Sequence, residues 1–227
     1  MRNLHDFQLP SSLVIATTNA GKTKEFAHRF APLGITIRSL ADYPTIPAIV
    51  EDGDTFADNA EIKARAVAME LGQPALADDS GLCVDRLDGA PGVYSAPYAG
   101  EHATDSLNIE KLLRELKKPS LPLPATSKLQ EDVLKLSLPD GATVLSAARF
   151  ECALVLIDPV SDKLFCVEGN CPGYIIDTPR GDNGFGYDPV FYLPAFGRTM
   201  AELTVEEKQA ISHRGKAMDK LLAMIKS

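Results

Sequence analysis

The sequence predicts a mixed fold, α/β or α+β, in which strands and helices are interleaved through one chain. Three observations lead there. A β-rich apolar run, Leu13-Val14-Ile15-Ala16, is followed by turn residues and then a helix-forming segment. A second apolar run, Pro74-Ala75-Leu76-Ala77, comes directly after a stretch whose apolar residues recur at helical spacing. Further on, strand-like alternation precedes a last helical segment.

Taken in order, Leu13–Ala16 reads as a buried strand and Thr17–Gly21 as turn chemistry. Lys22 to Phe30 reads as a helix that ends near Pro32 and Gly34, and Ile35–Ile37 as a second strand. Residues 41–54, acidic and punctuated by Pro44, Pro47 and Gly53, read as a loop. Thr55 opens a helix, with Asp58 three residues on completing a capping box in place of the usual Glu or Gln. Phe56, Ala60, Ala64, Val67 and Leu71 form its apolar stripe, and Gly72 and Pro74 stop it. The 75–100 stretch reads as a strand, an acidic turn, a short strand and a Gly/Pro-rich loop. Asp105 to Leu116 reads as a helix. Residues 118–142 hold four prolines and read as an excursion, with a small helix over Ser127–Leu136. Ala148–Ile157 and Lys163–Glu168 suit a hairpin across Asp158-Pro159, and Val190–Leu193 a strand. The final helix starts at Thr204, boxed by Glu207, breaks near His213–Gly215 and resumes to Ile225.

The chain has 227 residues, enough for one large domain or two small lobes. Its formal charge of −8 argues against general binding to nucleic acid or to anionic membranes, while leaving room for a local basic pocket. No apolar run is long enough to span a bilayer, and Met1–Ser12 lacks the pattern of a signal peptide. The four cysteines, Cys83, Cys152, Cys166 and Cys171, form no CxxC pair and read as core residues of a protein in a reducing cytosol.

Four segments carry chemistry. The tetrad Asp78-Asp79-Ser80-Gly81 sets two adjacent carboxylates at the end of an apolar run, which is costly unless a cation uses them. Mg²⁺ suits such a pair because it takes a few carboxylate oxygens and leaves its other positions to water and phosphate. The same tetrad also suits a polar turn. Glu51, Asp52 and Asp54 extend the acidic set, or form a solvated surface. Thr17-Thr18-Asn19-Ala20-Gly21-Lys22 leaves a strand and opens a helix, where free N–H groups and Lys22 can meet a phosphate. Ala16 stands where a P-loop needs its first glycine, which argues against that motif. Asp182–Pro189 sets Phe185 and Tyr187 among glycines, as a base-stacking wall or as a hairpin with core aromatics. Lys208 with Ser212-His213-Arg214-Gly215 makes a local cationic patch, or an amphipathic surface.

In this order, these segments resemble the inosine triphosphate pyrophosphatase family. The similarity spans residues 13 to about 225 and includes Thr55-Phe56-Ala57-Asp58-Asn59-Ala60 with Lys63-Ala64, and Gly89-Ala90-Pro91-Gly92-Val93-Tyr94-Ser95-Ala96. The resemblance implies a single α/β domain over residues 1–227, with an elongated mixed sheet, flanking helices and a nucleotide cleft between two lobes. It implies Mg²⁺-dependent hydrolysis of ITP, dITP and XTP to the monophosphate and pyrophosphate, in a cytoplasmic homodimer. Asp79 would be the catalytic carboxylate and a metal ligand, with Glu51 as a second. Thr17, Thr18, Asn19, Ala20, Gly21, Lys22 and Lys63 would line the triphosphate, and Ser80 would touch the substrate. Phe185 would stack on the base, with Gly186, Tyr187 and Asp188 completing that wall. Lys208, His213 and Arg214 would bind the nucleotide, the last two near the 6-oxo edge of the base.

Three departures accompany the resemblance: Pro97 where the family has Arg, Asp58 where Glu is usual, and a longer segment over residues 118–146. Alternatives from other classes are a pyrophosphatase of modified pyrimidine triphosphates, a nucleotide-binding regulator without catalysis, and a P-loop NTPase.

Overall fold

The structure is a computed structural model that describes residues 8–118, 138 and 140–226. The helix expected over Ser127–Leu136, like most of the excursion around it, lies outside the described residues. The strands are β1 (Ser12–Ile15), β2 (Thr36–Ser39), β3 (Ala75–Val84), β4 (Val144–Asp158), β5 (Lys163–Ile176), β6 (Phe191–Leu193) and β7 (Arg198–Thr199). The helices are α1 (Ala20–Phe30), α2 (Phe56–Leu71), α3 (Asp105–Leu116), α4 (Val205–Ile211) and α5 (His213–Lys226). The strands form one open sheet in the order β2-β1-β3-β4-β5-β6-β7. β1 is parallel to β2 and β3, whereas β6 is antiparallel to β5 and β7, so the sheet is mixed and the class is α/β. No helix among the described residues is long and apolar enough to cross a membrane.

Local chemistry places the helices. Thr55 accepts a hydrogen bond from the Asp58 N–H at 3.1 Å and donates its hydroxyl to the Asp58 carboxylate at 2.7 Å, a cap worth about 1 kcal/mol. Thr204 and Glu207 form a reciprocal box, each side chain accepting from the other's backbone N–H at 3.2 and 2.9 Å. The break between α4 and α5 falls at Ser212, one residue before His213.

Two strand expectations need correction. The tetrad Asp78–Gly81 is not a turn; β3 runs through it without interruption. Each carboxylate meets a cation on its own face of the sheet, so extended backbone can continue through both. β4 and β5 also extend beyond the hairpin expected from alternation. In β5, Gly169 and Gly173 look like breakers in sequence but serve close approach. A side chain at residue 169 would strike the His213 carbonyl, and one at residue 173 would meet the Phe191 ring at 2.5 Å.

The chain forms two compact units, one of Met1–Ser80, Cys152–Asn170 and Gln209–Ser227, the other of Gly81–Glu151 and Cys171–Lys208. The first unit has a core on each face of its strands. On one face Leu13, Ile15, Leu76, Leu154 and Leu156 pack with Phe26 and Phe30 of α1 and Leu221 of α5. On the other, Val14, Ala75, Ala77, Ala153 and Val155 pack with Ala60, Ala64, Val67 and Ala68 of α2. Full burial of Phe26 and Phe30 contributes about 1.5–3 kcal/mol each. In the second unit the Phe150 and Phe191 rings pack as a tilted pair, 45° between planes, at a centroid distance of 4.4 Å.

Candidate functional site

The first unit holds the loop between β1 and α1. Asn19 is the N-cap of α1, its Oδ1 accepting from the Lys22 N–H at 3.0 Å. Thr17 Oγ1 accepts from the Asn19 N–H at 3.1 Å, which fixes the loop before the helix begins. Thr18 is exposed, and Ala20 and Gly21 occupy the first turn, where backbone N–H groups have no acceptor within the helix. Ala16 is fully enclosed at the end of β1.

Alternation along β3 sends Asp78 and Asp79 to opposite faces. Asp78 lies on the face of α1 and α5 and is 1% exposed. Its Oδ2 accepts from Arg214 Nε at 2.7 Å and from the Cys152 thiol at 3.2 Å, and its Oδ1 accepts from Ser80 Oγ at 2.9 Å and pairs with Lys22. Burial pushes the Asp78 carboxyl up, but Arg214 and Lys22 overcome it and hold the group well below the usual carboxylate range. Arg214 is itself 1% exposed and also donates to Glu25 Oε2 at 2.6 Å and Ser80 Oγ at 2.8 Å. Burial lowers the guanidinium's pKa; Asp78 and Glu25 more than restore it.

Asp79 lies on the face of α2. Its Oδ1 accepts from Lys63 Nζ at 2.8 Å, and the same ammonium donates to Glu51 Oε2 at 2.5 Å. Asp79 Oδ2 is buried without a hydrogen-bond partner among the described residues. Burial raises the Asp79 carboxyl above the ordinary range, Glu51 adds to this, and Lys63 only partly opposes it. An orphaned carboxylate oxygen next to a second carboxylate fits a divalent cation. No set of three His, Cys, Asp or Glu among the described residues could hold a metal ion. Two carboxylates with the remaining positions left to water and phosphate is the arrangement a hard cation with a phosphate substrate uses.

The second unit holds the aromatic loop. Lys208 Nζ pairs with Asp188 Oδ2 at 2.6 Å and stands 4.7 Å from the centroid of the Phe185 ring. Asp188 Oδ2 also accepts from the Phe185 N–H at 3.0 Å. A side chain at residue 184 would collide with that carboxylate, which accounts for Gly184. The Tyr187 hydroxyl donates to the Ser95 carbonyl at 2.8 Å, and the Gly186 N–H to Asp105 Oδ2 at 2.6 Å.

Of the residues expected from sequence, Thr17, Asn19, Lys22, Glu51, Lys63, Asp79, Ser80, His213 and Arg214 fall in the first unit, and Phe185, Gly186, Tyr187, Asp188 and Lys208 in the second. Arg214 is enclosed by Asp78, Glu25 and Ser80, and His213 is buried at the first position of α5. Sequence reading missed Glu25, Cys152, Ser95 and Asp105. Each looks like an ordinary helix, strand or loop residue, and only its distant partner marks it.

Cations gathered around paired carboxylates, beside a helix start on an open mixed sheet, make up a phosphate-handling α/β protein. The model of the Ham1 family matches residues 13–126 and 126–224, and the chain belongs to that family. A dITP/XTP pyrophosphatase of Geobacillus kaustophilus is 50% identical over 210 residues, covering 92% of this chain and 91% of its own. One of Listeria monocytogenes is 47% identical over 211 residues, 93% of each chain. The solved structure of a HAM1 protein from Coxiella burnetii aligns with a TM-score of 0.74 at 39% identity, over 94% of this chain and 98% of that one. The Staphylococcus aureus Ham1 protein aligns with a TM-score of 0.73 at 36% identity, over 94% and 97%.

Proposed function

We propose that this chain hydrolyses non-standard purine nucleoside triphosphates, ITP, dITP and XTP, to the monophosphate and pyrophosphate. The observation that carries the mechanism is the state of Asp79: buried, raised in pKa, and left with one unused oxygen beside Lys63. The names of the close relatives support the substrate class.

Phosphoanhydride cleavage needs neutralised phosphate charge and an aligned water more than covalent chemistry. The free N–H groups of Ala20 and Gly21, with Lys22, hold the triphosphate, and Thr17 and Asn19 keep that loop in shape. Asp79 orients the attacking water and takes its proton, a task helped by a carboxyl raised toward neutrality. Asp79 and Glu51 would hold Mg²⁺, which supplies Lewis-acid neutralisation at the phosphate oxygens when bound. Phe185 stacks on the base, with Tyr187 and Asp188 beside it and Lys208 braced by Asp188. Hypoxanthine and xanthine present an acceptor at position 6, so a donor facing that edge favours them, whereas the amino group of adenine leaves the donor unpaired. Four free cysteines support a reducing cytosol as the setting, and the homodimer is proposed on the family resemblance alone.

The test is the product released across a nucleotide panel with Mg²⁺. ITP, dITP and XTP should give pyrophosphate far faster than ATP or modified pyrimidine triphosphates. Orthophosphate as the product, or a preference for the pyrimidines, would overturn it.

A further inference from the structure

The peptide plane that follows Phe185 is held at both ends. Its carbonyl, on Phe185, accepts from the Asp188 N–H at 3.3 Å, and its N–H, on Gly186, donates to Asp105 Oδ2 at 2.6 Å. The Phe185 N–H donates to Asp188 Oδ2 at 3.0 Å, so the preceding plane is fixed too. These bonds matter because Gly184 and Gly186 flank the ring with φ of +78° and +62°, in the region that glycine enters most freely. Two of the three bonds are local, made by a residue three positions on. The third comes from 81 positions away, from the first residue of α3.

α3 does not need that bond in order to start. Thr104 is its N-cap, with Oγ1 accepting from the Leu107 N–H at 3.3 Å. A carboxylate in the first turn suits the positive end of a helix, yet Asp105 is exposed and its Oδ2 is engaged by another loop. The bond to Gly186 is short and charge-assisted, the strong kind. One residue further, the buried Tyr187 hydroxyl donates to the Ser95 carbonyl at 2.8 Å and ties the loop to the segment that leads into α3. We propose that Asp105 is a positioning residue for the base end of the substrate, acting through the Gly186 N–H to hold the Phe185 ring in its stacking position. The inference rests on the proposal above that Phe185 stacks on the base. It adds an exposed acid from α3, a helix that carries no other residue of the proposed site.

The experiment compares Asp105→Ala and Asp105→Asn with the wild type, and repeats Asp105→Ala in a Phe185→Ala background. Steady-state hydrolysis of ITP with Mg²⁺ reads the whole site. Calorimetric titration with inorganic tripolyphosphate and Mg²⁺ reads the phosphate end, and hydrogen exchange at the Gly186 amide reads the bond itself. In Asp105→Ala that amide should exchange about ten-fold faster or more. KM for ITP should rise about five-fold or more, with kcat and tripolyphosphate affinity within about two-fold of wild type. Asp105→Asn keeps an acceptor oxygen and should recover most of the loss in KM. With Phe185 already removed, Asp105→Ala should change KM no further, because residues that act through one another are not additive. Full additivity in the double variant, a wild-type KM in Asp105→Ala, or an equal loss of tripolyphosphate affinity would overturn the proposal. If Asp105→Ala does not fold by circular dichroism, Asp105→Ser, which suits a helix start, takes its place with the same expectations. Failure of the functional proposal looks different: the wild type would release no pyrophosphate from ITP, while the Gly186 amide would still exchange faster in Asp105→Ala.

Discussion

Asp78 and Asp79 are neighbours in sequence, yet their carboxylates face opposite sides of β3: Asp78 Oδ2 lies 2.7 Å from Arg214 Nε, and Asp79 Oδ1 lies 2.8 Å from Lys63 Nζ. One strand therefore supplies two carboxylates with opposite properties. Asp78 is saturated by Arg214, Lys22, Ser80 and Cys152, and its charge is locked in place. Asp79 keeps an unused oxygen, and burial works against its charge. The first is built to hold structure and the second to do chemistry.

Asparagine substitutions should separate these roles. Breaking a buried ion pair from one side strands the remaining charge, so Asp78→Asn should lose about 3 kcal/mol of stability. Asp79→Asn should abolish pyrophosphate release while changing stability far less, since Lys63 keeps Glu51 as a partner. Urea unfolding and a pyrophosphate assay on the two variants check this. Full activity in Asp79→Asn would sink the mechanism.

Lys63 stands between Glu51 and Asp79, so a divalent cation entering there meets an ammonium already in place. Lys63→Met should cost the metal-free protein about 2 kcal/mol or more by removing the counter-charge that Glu51 and Asp79 share, leaving Asp79 to the weaker pull of Lys22. Added Mg²⁺ should then raise the variant's melting temperature more than it raises that of the wild type. Equal shifts would show that the metal does not sit with these carboxylates.

Removal of the metal provides a separate check. Chelation with EDTA should stop pyrophosphate release from ITP, and excess Mg²⁺ should restore it, because two carboxylates beside a triphosphate need a hard cation to offset their charge. Unimpaired turnover under chelation would contradict the assignment of Asp79 and Glu51.

Phe185 carries an ammonium 4.7 Å from its ring centroid, and its backbone is pinned by Asp188. Base stacking contributes about 1–3 kcal/mol, so Phe185→Ala should raise KM for ITP between several-fold and about a hundred-fold, with a smaller change in kcat. Phe185→Tyr should recover most of the loss. A steady-state comparison of the three proteins decides it, and an unchanged KM in the alanine variant would remove Phe185 from the base site.

The cysteines give a check that is independent of function. Cys83, Cys152 and Cys171 are buried and Cys166 is exposed. Burial, with Glu151 adding to it, pushes the Cys83 thiol up to about 11, so it stays protonated at pH 8. A thiol reagent at that pH should modify Cys166 in the native protein and reach the other three only after unfolding. Mass spectrometry of the labelled peptides reads the order directly.

Elements governed by near neighbours were legible in the sequence. Thr55 and Thr204 marked two helix starts because a cap is settled within four residues, and the helix read over Asp105–Leu116 is the helix observed. The paired carboxylates, the loop before Lys22 and the aromatic glycine loop were visible as chemistry for the same reason. What the tetrad Asp78–Gly81 does was not visible, since a turn and a strand share its composition, and the choice depends on cations from elsewhere. Arg214 reaches Asp78 across 136 positions and Glu25 across 189. By itself, the sequence determined which groups are present and which short elements carry them, because those follow from local hydrogen bonding and periodicity. Only the tertiary structure decided that Asp78 is locked, that Asp79 is open, and that Glu25 belongs with them. Burial and charge pairing depend on which distant side chains arrive at the same face of a strand.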